Sequence, residues 1–403
     1  MNTSCNNENI TMKQSLSKGG SVFDFCIIGG GAAGLAAAVA YKDANPHGRV
    51  LVVEKLKNPG KKLRATGNGR CNISNTHCSN YKQILEFFYG VGVETVTEDD
   101  GRIYPASGAA GDVAKALEQG AKARQVEFLL DTPVISIGKT GEKESGFWIN
   151  ERIAANKVLL ACGGKAGPAF GCTGDGYKWA RQLGHMVTPV YPVLTAVEAN
   201  EVTQLKGARL SAVVELLHNG RVVASSKGEI QFTDFGLSGI CIMDLSGHIR
   251  LARGRSFENY SIRILPRVSV DLKARRKVYG LLAQDLLLSL LPEKVATYIL
   301  QKAGIRENIE AQSISSRQLE KVEQLLSGGW EVLVEGVKGW KTAQCSGGGI
   351  PYEEVDFDTM ESKIQPGLYV AGEILDYQGP CGGYNLNHAW TTAIKAGKAA
   401  ADV

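Results

Sequence analysis

No run of 18 apolar residues occurs in the 403-residue chain, so nothing in it reads as a transmembrane helix. The first 20 residues are polar and lack the apolar core of a secretory signal. Residues 1–21 therefore read as a disordered tail, and the protein as cytoplasmic. No CxxC pair occurs among the nine cysteines (5, 26, 71, 78, 162, 172, 241, 345 and 381). Their odd number and scatter argue against a disulfide scaffold or a zinc site and for a reducing compartment. Neither sign of charge dominates: 45 basic against 41 acidic residues leave +4, too little by itself to imply nucleic acid or membrane. Metal-ligand spacings, a nucleophile elbow and a second GxGxxG are missing as well. The length allows two or three domains.

What is present begins at Val22. An apolar run, Phe23–Ile28, leads into Gly29-Gly30-Gly31-Ala32-Ala33-Gly34, then an alanine-rich helix, and a second apolar run ends at Glu54-Lys55. Together these form one βαβ unit with a dinucleotide fingerprint. Gly29 permits the tight turn, Gly31 admits a pyrophosphate to the backbone, and Gly34 lets helix and sheet close. The helix N-terminus favours the anion. Glu54, 20 residues past Gly34, suits ribose hydroxyls and an unphosphorylated ribose, as in FAD or NAD.

A basic Gly/Asn-rich stretch, Gly60–Asn75, follows and reads as a cofactor loop whose cations and N–H groups suit phosphates and ring edges. Asp112 is expected to cap a helix, Pro133–Ile137 to form a strand, and Ala155–Ala161 to run as a strand into a Gly163-Gly164 turn. Gly171–Tyr177 opens a helix expected through His185. Composition shifts near Pro189. Asn219-Gly220 marks a hairpin, Gly228–Thr233 a further strand, and Gly236–Gly239 a tight loop. From Asp271 the pattern turns helical, with Leu281, Leu282 and Leu286 as one stripe, Pro292 starting a helix, and Ser315 with Gln318 as a capping box. Arg275-Arg276-Lys277 reads as a solvated helix face. Trp330–Val334 returns to strand.

The α/β pattern resumes near Cys345. A strand, Gly367–Glu373, closes on Gly-Glu, and Gly379–Asn385 turns into a long final helix ending at Asp402. The acid suits the ribityl or diphosphate part of FAD, and the helix N-terminus suits the anionic edge of a reduced flavin. An NAD domain has no need of this return, so FAD is the better ligand. The expected domains are 22–190 and 344–403 for the cofactor, 191–270 for a β-rich insert, and 271–343 for its helical part.

Taken together, Gly29–Gly34, Gly60–Asn75, Gly171–His185, Phe232–Gly239 and Met360–Asn385 resemble the bacterial YhiN-like, or aminoacetone-oxidase-like, FAD-binding flavoproteins, which include BaiN-type bile-acid enone reductases. The resemblance covers about 22–403. It implies an α/β fold: a Rossmann-like FAD-binding domain interrupted by an inserted β-barrel-like and helical domain. Carried over by position, it places FAD on Gly29, Gly31, Ala32, Ala33, Gly34, Glu54, Lys55, Lys62, Asn68, Gly69, Arg70, Cys71, Asn72, Val134, Ala161, Gly163, Glu373, Asp376, Gly383, Tyr384, Asn385 and Leu386. Three departures fall where the substrate side is expected: Lys165-Ala-Gly-Pro168 after Gly164, Ile240 after Gly239, and Asn387-His388.

FAD exchanges hydride with C–H bonds, amines, nicotinamides and enones. The favoured reading is reduction of a conjugated C=C in a small apolar, steroid-like molecule, with NAD(P)H docking transiently as donor. The alternatives are an oxidase of a small amine such as aminoacetone and, in another class, a tRNA-modifying or RNA-binding flavoprotein. The mild charge and lack of an aromatic-basic cluster count against nucleic acid. His388, Tyr384 and Cys381 are candidate acids, none of them assigned. The oligomeric state is left open.

Overall fold

The computed structural model describes residues 22–141, 146–249, 257 and 259–402. The expected tail at 1–21 lies outside the described residues. By internal contacts the chain divides into two compact units, one running to Tyr191 and resuming at Cys345, the other spanning Pro192–Gln344.

The first unit is built on β1 (Phe23–Ile28), α1 (Ala32–Ala44), β2 (Val50–Val53), β3 (Glu127–Leu129), β4 (Ile153–Leu160), β5 (Leu368–Val370) and α2 (Tyr384–Ala401). The five strands are parallel in the order β3-β2-β1-β4-β5, the doubly wound order of a dinucleotide-binding sheet. Register is set by Phe25 against Val50 and Lys157, and by Leu368 against Val158. Both faces are covered, so β2 is Val-Leu-Val-Val with every residue buried. Only the second half of β4 pairs with β5; its first half pairs antiparallel with Phe147–Ile149.

The alanine content of α1 has a packing cause. Residues Ala33–Lys42 are all buried, with the sheet on one side and α2 on the other. A Cβ on Gly397 of α2 would lie 2.4 Å from the Ala37 carbonyl oxygen, so the two helices approach backbone to backbone. Small residues are what allow that distance.

Three local expectations change here. Helix Ala110–Ala123 starts two residues before Asp112, which lies in its first turn and is not the cap. There it still faces the positive helix end. Residues 133–136 form no strand: Pro133 has no N–H to give, and the Asn150 amide satisfies this backbone, accepting from Ile135 (2.7 Å) and donating to Pro133 (3.0 Å). The helix opened by Asp175 ends at Gln182, before a left-handed Gly184 (φ 96°).

The second unit carries a seven-stranded antiparallel sheet. Its hairpin joins Arg209–His218 to Arg221–Phe232 through Asn219 and Gly220, both at positive φ (52° and 74°), as a type I′ turn needs. Gly228–Phe232 is the far half of that second strand. Gly236–Ser238 is a strand and not a loop; it pairs with both Gln231–Phe232 and Val197–Glu198. The edge strands, Trp330–Leu333 and Gly336–Val337, are consecutive in the chain. Val334 N–H donates to Tyr260 and Glu335 N–H to Glu198, so one segment bonds both edges and the sheet curls into a barrel-like form.

Around this sheet the expected leucine stripe dissolves. Leu286 is buried, but Leu282 is 37 % exposed, because Gly280 and a bridge from Leu282 to Glu310 break the helix into Leu272–Arg275 and a single turn at Ala283–Asp285. Pro292 takes the N-cap of Glu293–Lys302 and does not enter its first turn. The Ser315–Gln318 capping box forms as expected, ahead of Ser316–Ser327. Among the described residues, no helix is long and apolar enough to cross a membrane, and no group of three or more His, Cys, Asp and Glu side chains could hold a metal ion.

Candidate functional site

The glycine turn after β1 divides its labour in a way that can be read from the space around each glycine. A Cβ on Gly29 (φ 108°) would sit 2.7 Å from the Ala161 carbonyl oxygen, where β4 ends, and one on Gly34 would sit 1.9 Å from the Gly29 oxygen. Both positions are closed by packing. A Cβ on Gly31 would meet nothing within 4 Å. Gly31 is also the N-cap of α1, no side chain caps that helix, and the Leu35 N–H is the one that bonds back to Gly31. The amides of Ala32, Ala33 and Gly34 thus border open space at the positive end of a helix, which is an anion cradle. Beside it Glu54 accepts from Gly30 N–H (2.8 Å) and Leu56 N–H (2.9 Å), which holds its carboxylate against the turn.

The remaining predicted residues fall into two groups. Lys62 leaves the loop after β2 to pair with Glu373 at 2.6 Å, joining segments 311 positions apart. Burial, the largest single influence, pushes the Lys62 ammonium pKa down, but the Glu373 charge and hydrogen bond together with the neighbouring Cys172 and Cys345 outweigh it, and the net shift is upward. The other Glu373 oxygen accepts from the backbone and hydroxyl of Ser346 (3.0 and 2.9 Å), and the Ser346 hydroxyl accepts in turn from Lys165 and Ala166 N–H. Asn68, Gly69 and Arg70 are exposed at the tip of the loop, and Cys71 is buried beneath them at φ 61°. Asn72 is buried. With its amide set to satisfy its neighbours, it donates to Ser74 and Ile103 oxygens and accepts from Gly383 N–H (3.1 Å). The loop is therefore tied to the N-terminus of α2. Asn387 to Ser74 (2.8 Å), Asn75 to Gly382 (3.0 Å) and Trp390 to Ile73 (2.9 Å) repeat that tie. Gly383 at φ 97° caps α2, with Tyr384, Asn385 and Leu386 as its first turn, and Asn385 pins the turn by bonding Gly379 in both directions.

Three predicted residues stand apart from this convergence. Lys55 bonds Thr173 (2.7 Å) and Asp175 (2.8 Å). Burial alone would raise Asp175, but the hydrogen bonds from Lys55 and Thr173 outweigh it and hold the carboxyl below the usual range. Asp376 is exposed and accepts from the Thr188 hydroxyl. Val134 lies half-buried in the Asn150-held segment, against the core of the unit.

Of the candidate acids, His388 is the best defined. Its ring stacks on Tyr377 (centroids 3.9 Å, 12°), and its Nε2 is bonded to the Tyr352 hydroxyl. Burial lowers its pKa to about 3, so it is a neutral imidazole at physiological pH and no imidazolium acid. Tyr377 was not singled out in the sequence. Its hydroxyl lies 3.0 Å from where a Cβ on Gly379 would be, in the turn that leads to Tyr384, and burial keeps the phenol protonated. Ser346 was missed too. A serine in a glycine run carries no periodic signal, and its partner Glu373 is 27 residues away.

His185 and Ser362, each inside a stretch that carried the family resemblance, prove to be partners. Ser362 Oγ lies 2.7 Å from His185 Nε2, and His185 Nδ1 lies 2.8 Å from Glu354. The residue types are those of a hydrolase triad, but the His185 side chain is fully buried and Ser362 Oγ accepts N–H groups of Ile364 and Gln365. This relay is structural.

An uncapped helix over open space, an acid at the end of β2, a buried cation–acid pair and a second glycine-capped helix together fit an FAD lying along the carboxyl ends of the strands. The comparisons agree. The HI0933-like protein Rossmann domain matches residues 77–399, and an FAD binding domain matches residues 24–86. A 3-dehydro-bile acid delta(4,6)-reductase of Clostridium scindens is 34 % identical over 93 % of this chain and 98 % of its own length. A ribosomal RNA dihydrouridine synthase of Escherichia coli is 28 % identical over 92 % and 96 %. A solved 3-ketosteroid delta1-dehydrogenase from Sterolibacterium denitrificans shares the fold at 13 % identity, with a TM-score of 0.50 over 94 % of this chain and 99 % of that one. The chain belongs to the HI0933-like family of Rossmann flavoproteins and is an FAD-dependent oxidoreductase.

Proposed function

We propose that this oxidoreductase reduces a carbon–carbon double bond conjugated with a carbonyl in a small apolar, steroid- or bile-acid-like molecule, with NAD(P)H as electron donor. The observation that carries the reading is end-to-end identity of 34 % with a reductase of a 3-dehydro-bile acid. FAD, when bound, supplies a two-electron store that takes hydride from a nicotinamide and gives it to an electron-poor carbon. The chain's own part is to hold and polarise. The Ala32–Gly34 amides take the pyrophosphate, Glu54 the ribose, the Lys62–Glu373 pair the middle of the cofactor, and the N-terminus of α2 the edge where negative charge gathers on reduction.

A second reading comes from the two ribosomal RNA dihydrouridine synthases among the relatives, at 28 % and 25 % identity. The uracil double bond that such an enzyme saturates is also conjugated with a carbonyl, so the same cradle serves either substrate. Anaerobic stopped-flow separates these readings. NADH or NADPH should bleach the bound flavin, and a 3-keto-Δ4,6 steroid should restore its colour. Restoration by a ribosomal RNA transcript and not by the steroid moves the assignment to uridine. Bleaching by aminoacetone, with neither nucleotide active, overturns the reductase reading.

A further inference from the structure

We infer that the face formed by residues 267–288 of the inserted unit docks on an anionic lipid surface. This inference stands independently of the substrate proposed above. In a stretch where buried leucines would be expected, four large apolar side chains point outward: Val278 (52 % exposed), Tyr279 (98 %), Leu282 (37 %) and Leu288 (57 %). They belong to one place. The Arg275 guanidinium donates to the Leu288 carbonyl at 2.5 Å, which fastens the second leucine segment beside the Leu272–Arg275 helix, and Leu281 N–H donates back to Val278. Gly280, at φ 71° with open space where a Cβ would be, makes the turn that lifts Tyr279 to the tip.

Cations outnumber acids in the same stretch. It holds Arg267, Lys273, Arg275, Arg276 and Lys277 against the two acids Asp271 and Asp285. Asp271 caps the short helix by accepting from Ala274 N–H, which turns its carboxylate toward the helix N-terminus. Lys273 and Lys277 are exposed, while Arg276 reaches the Ile314 carbonyl at 2.9 Å and buttresses the turn. A cluster of aliphatic side chains with one tyrosine at its tip and cations at its rim matches the boundary of a bilayer. There tyrosine sits at headgroup depth, lysines snorkel to phosphates, and anionic lipid attracts the rim. An RNA surface would call for several stacking rings between the cations, and this face offers only one. Apolar surface of this kind on a monomer marks an interaction site, and the rim selects an anionic partner.

The test is sedimentation of the flavin-loaded full chain with vesicles at about 0.1 M salt. Binding is expected to 3:1 phosphatidylcholine–phosphatidylglycerol vesicles and to fall away on pure phosphatidylcholine. Each rim cation contributes about fivefold, so Lys273→Gln with Lys277→Gln should weaken binding roughly 25-fold. Tyr279→Ser with Leu288→Ser should weaken it tenfold or more with flavin content and melting temperature unchanged, since all four side chains are exposed. The inference is overturned by no binding to the anionic vesicles, by equal binding of all variants, by tighter retention on a mixed-sequence RNA, or by a Tyr279-dependent dimer in light scattering.

Discussion

Gly31 and Gly34 lie three residues apart in one motif, yet adding a methyl group to each should have opposite consequences. Gly31 has φ −83° and ψ −164°, a backbone that any L-residue adopts, and its Cβ would meet nothing within 4 Å. Gly31→Ala should therefore leave the stability of the flavin-free chain within about 0.5 kcal/mol of wild type. The methyl group projects into the space argued to take the pyrophosphate, and binding should suffer. FAD at about 100 times its Kd adds about 2.7 kcal/mol to the wild type. At about 1–2 °C per kcal/mol for a chain of this length, this is a rise in melting temperature of roughly 3–5 °C, which Gly31→Ala should lose. Gly34→Ala places its Cβ 1.9 Å from the Gly29 oxygen and 3.2 Å from Ile27 Cγ2, so α1 must move by more than about 1 Å. That overpacking should cost about 1–3 kcal/mol with or without FAD. Scanning calorimetry of both variants, with and without FAD, reads the difference directly. A Gly31→Ala protein that keeps the whole FAD-dependent rise, or a flavin-free Gly34→Ala protein that melts with wild type, would refute the assignment of the cradle.

Lys62→Met leaves the Glu373 carboxylate with Ser346 as its donor, in a site where the pair is about one-fifth exposed (24 % and 20 %). The expected cost is about 1–3 kcal/mol of stability, with weakened FAD retention on gel filtration. His185→Leu takes the buried ring partner from both Ser362 and Glu354, which keep only their backbone N–H donors, and should cost about 1–3 kcal/mol in urea unfolding while leaving the flavin spectrum unchanged; no measurable loss would contradict the structural reading of that relay. His388 titrates at about 3 when folded and near 6.5 when unfolded. The unfolded chain therefore takes up the proton first, and this contribution is complete above pH ~6.5 and drains away toward pH ~3, at up to about 1.4 kcal/mol per pH unit. His388→Gln should flatten the stability profile across that window, and an unchanged profile would show that the imidazole is not held away from water by Tyr377 and Tyr352.

How much of this was legible in the sequence depends on the reach of each interaction. The β1–α1–β2 unit could be read because its constraints are local: three glycines, an apolar run on either side, and Glu54 holding the turn through Gly30. The type I′ hairpin at Asn219-Gly220 and the Ser315 capping box are local as well. Two of the misreadings share a cause, which is a distant group supplying what the local pattern asked for. Asn150 takes the hydrogen bonds of residues 133–136, so their apolar alternation never becomes a strand. Glu310 pairs with Leu282 and cuts the leucine stripe. Ser346, Tyr377 and the partnership of His185 with Ser362 carry no period at all, because they are defined by side chains that meet only after folding.

The points where the chain leaves and re-enters the cofactor unit bear on how one cradle can serve different substrates. Tyr191, the last residue before the insert, bonds Gln378 through its hydroxyl (3.4 Å), and its ring lies against Gly347. Ser346, one residue after re-entry at Cys345, holds Glu373 and the Lys165–Ala166 backbone. Both ends of the insert are thus anchored in the bonds that shape the cofactor side, and the 153 residues between Pro192 and Gln344 can diverge without loosening them. Relatives named for a bile acid and for ribosomal RNA match over similar shares of this chain, so the fold alone does not set the substrate. We propose that, within the cofactor unit, substrate choice falls to residues outside the glycine motifs, at Lys165–Pro168 and at His388 with its partners Tyr352 and Tyr377. Exchanging those residues for a relative's should change the substrate and leave flavin binding intact.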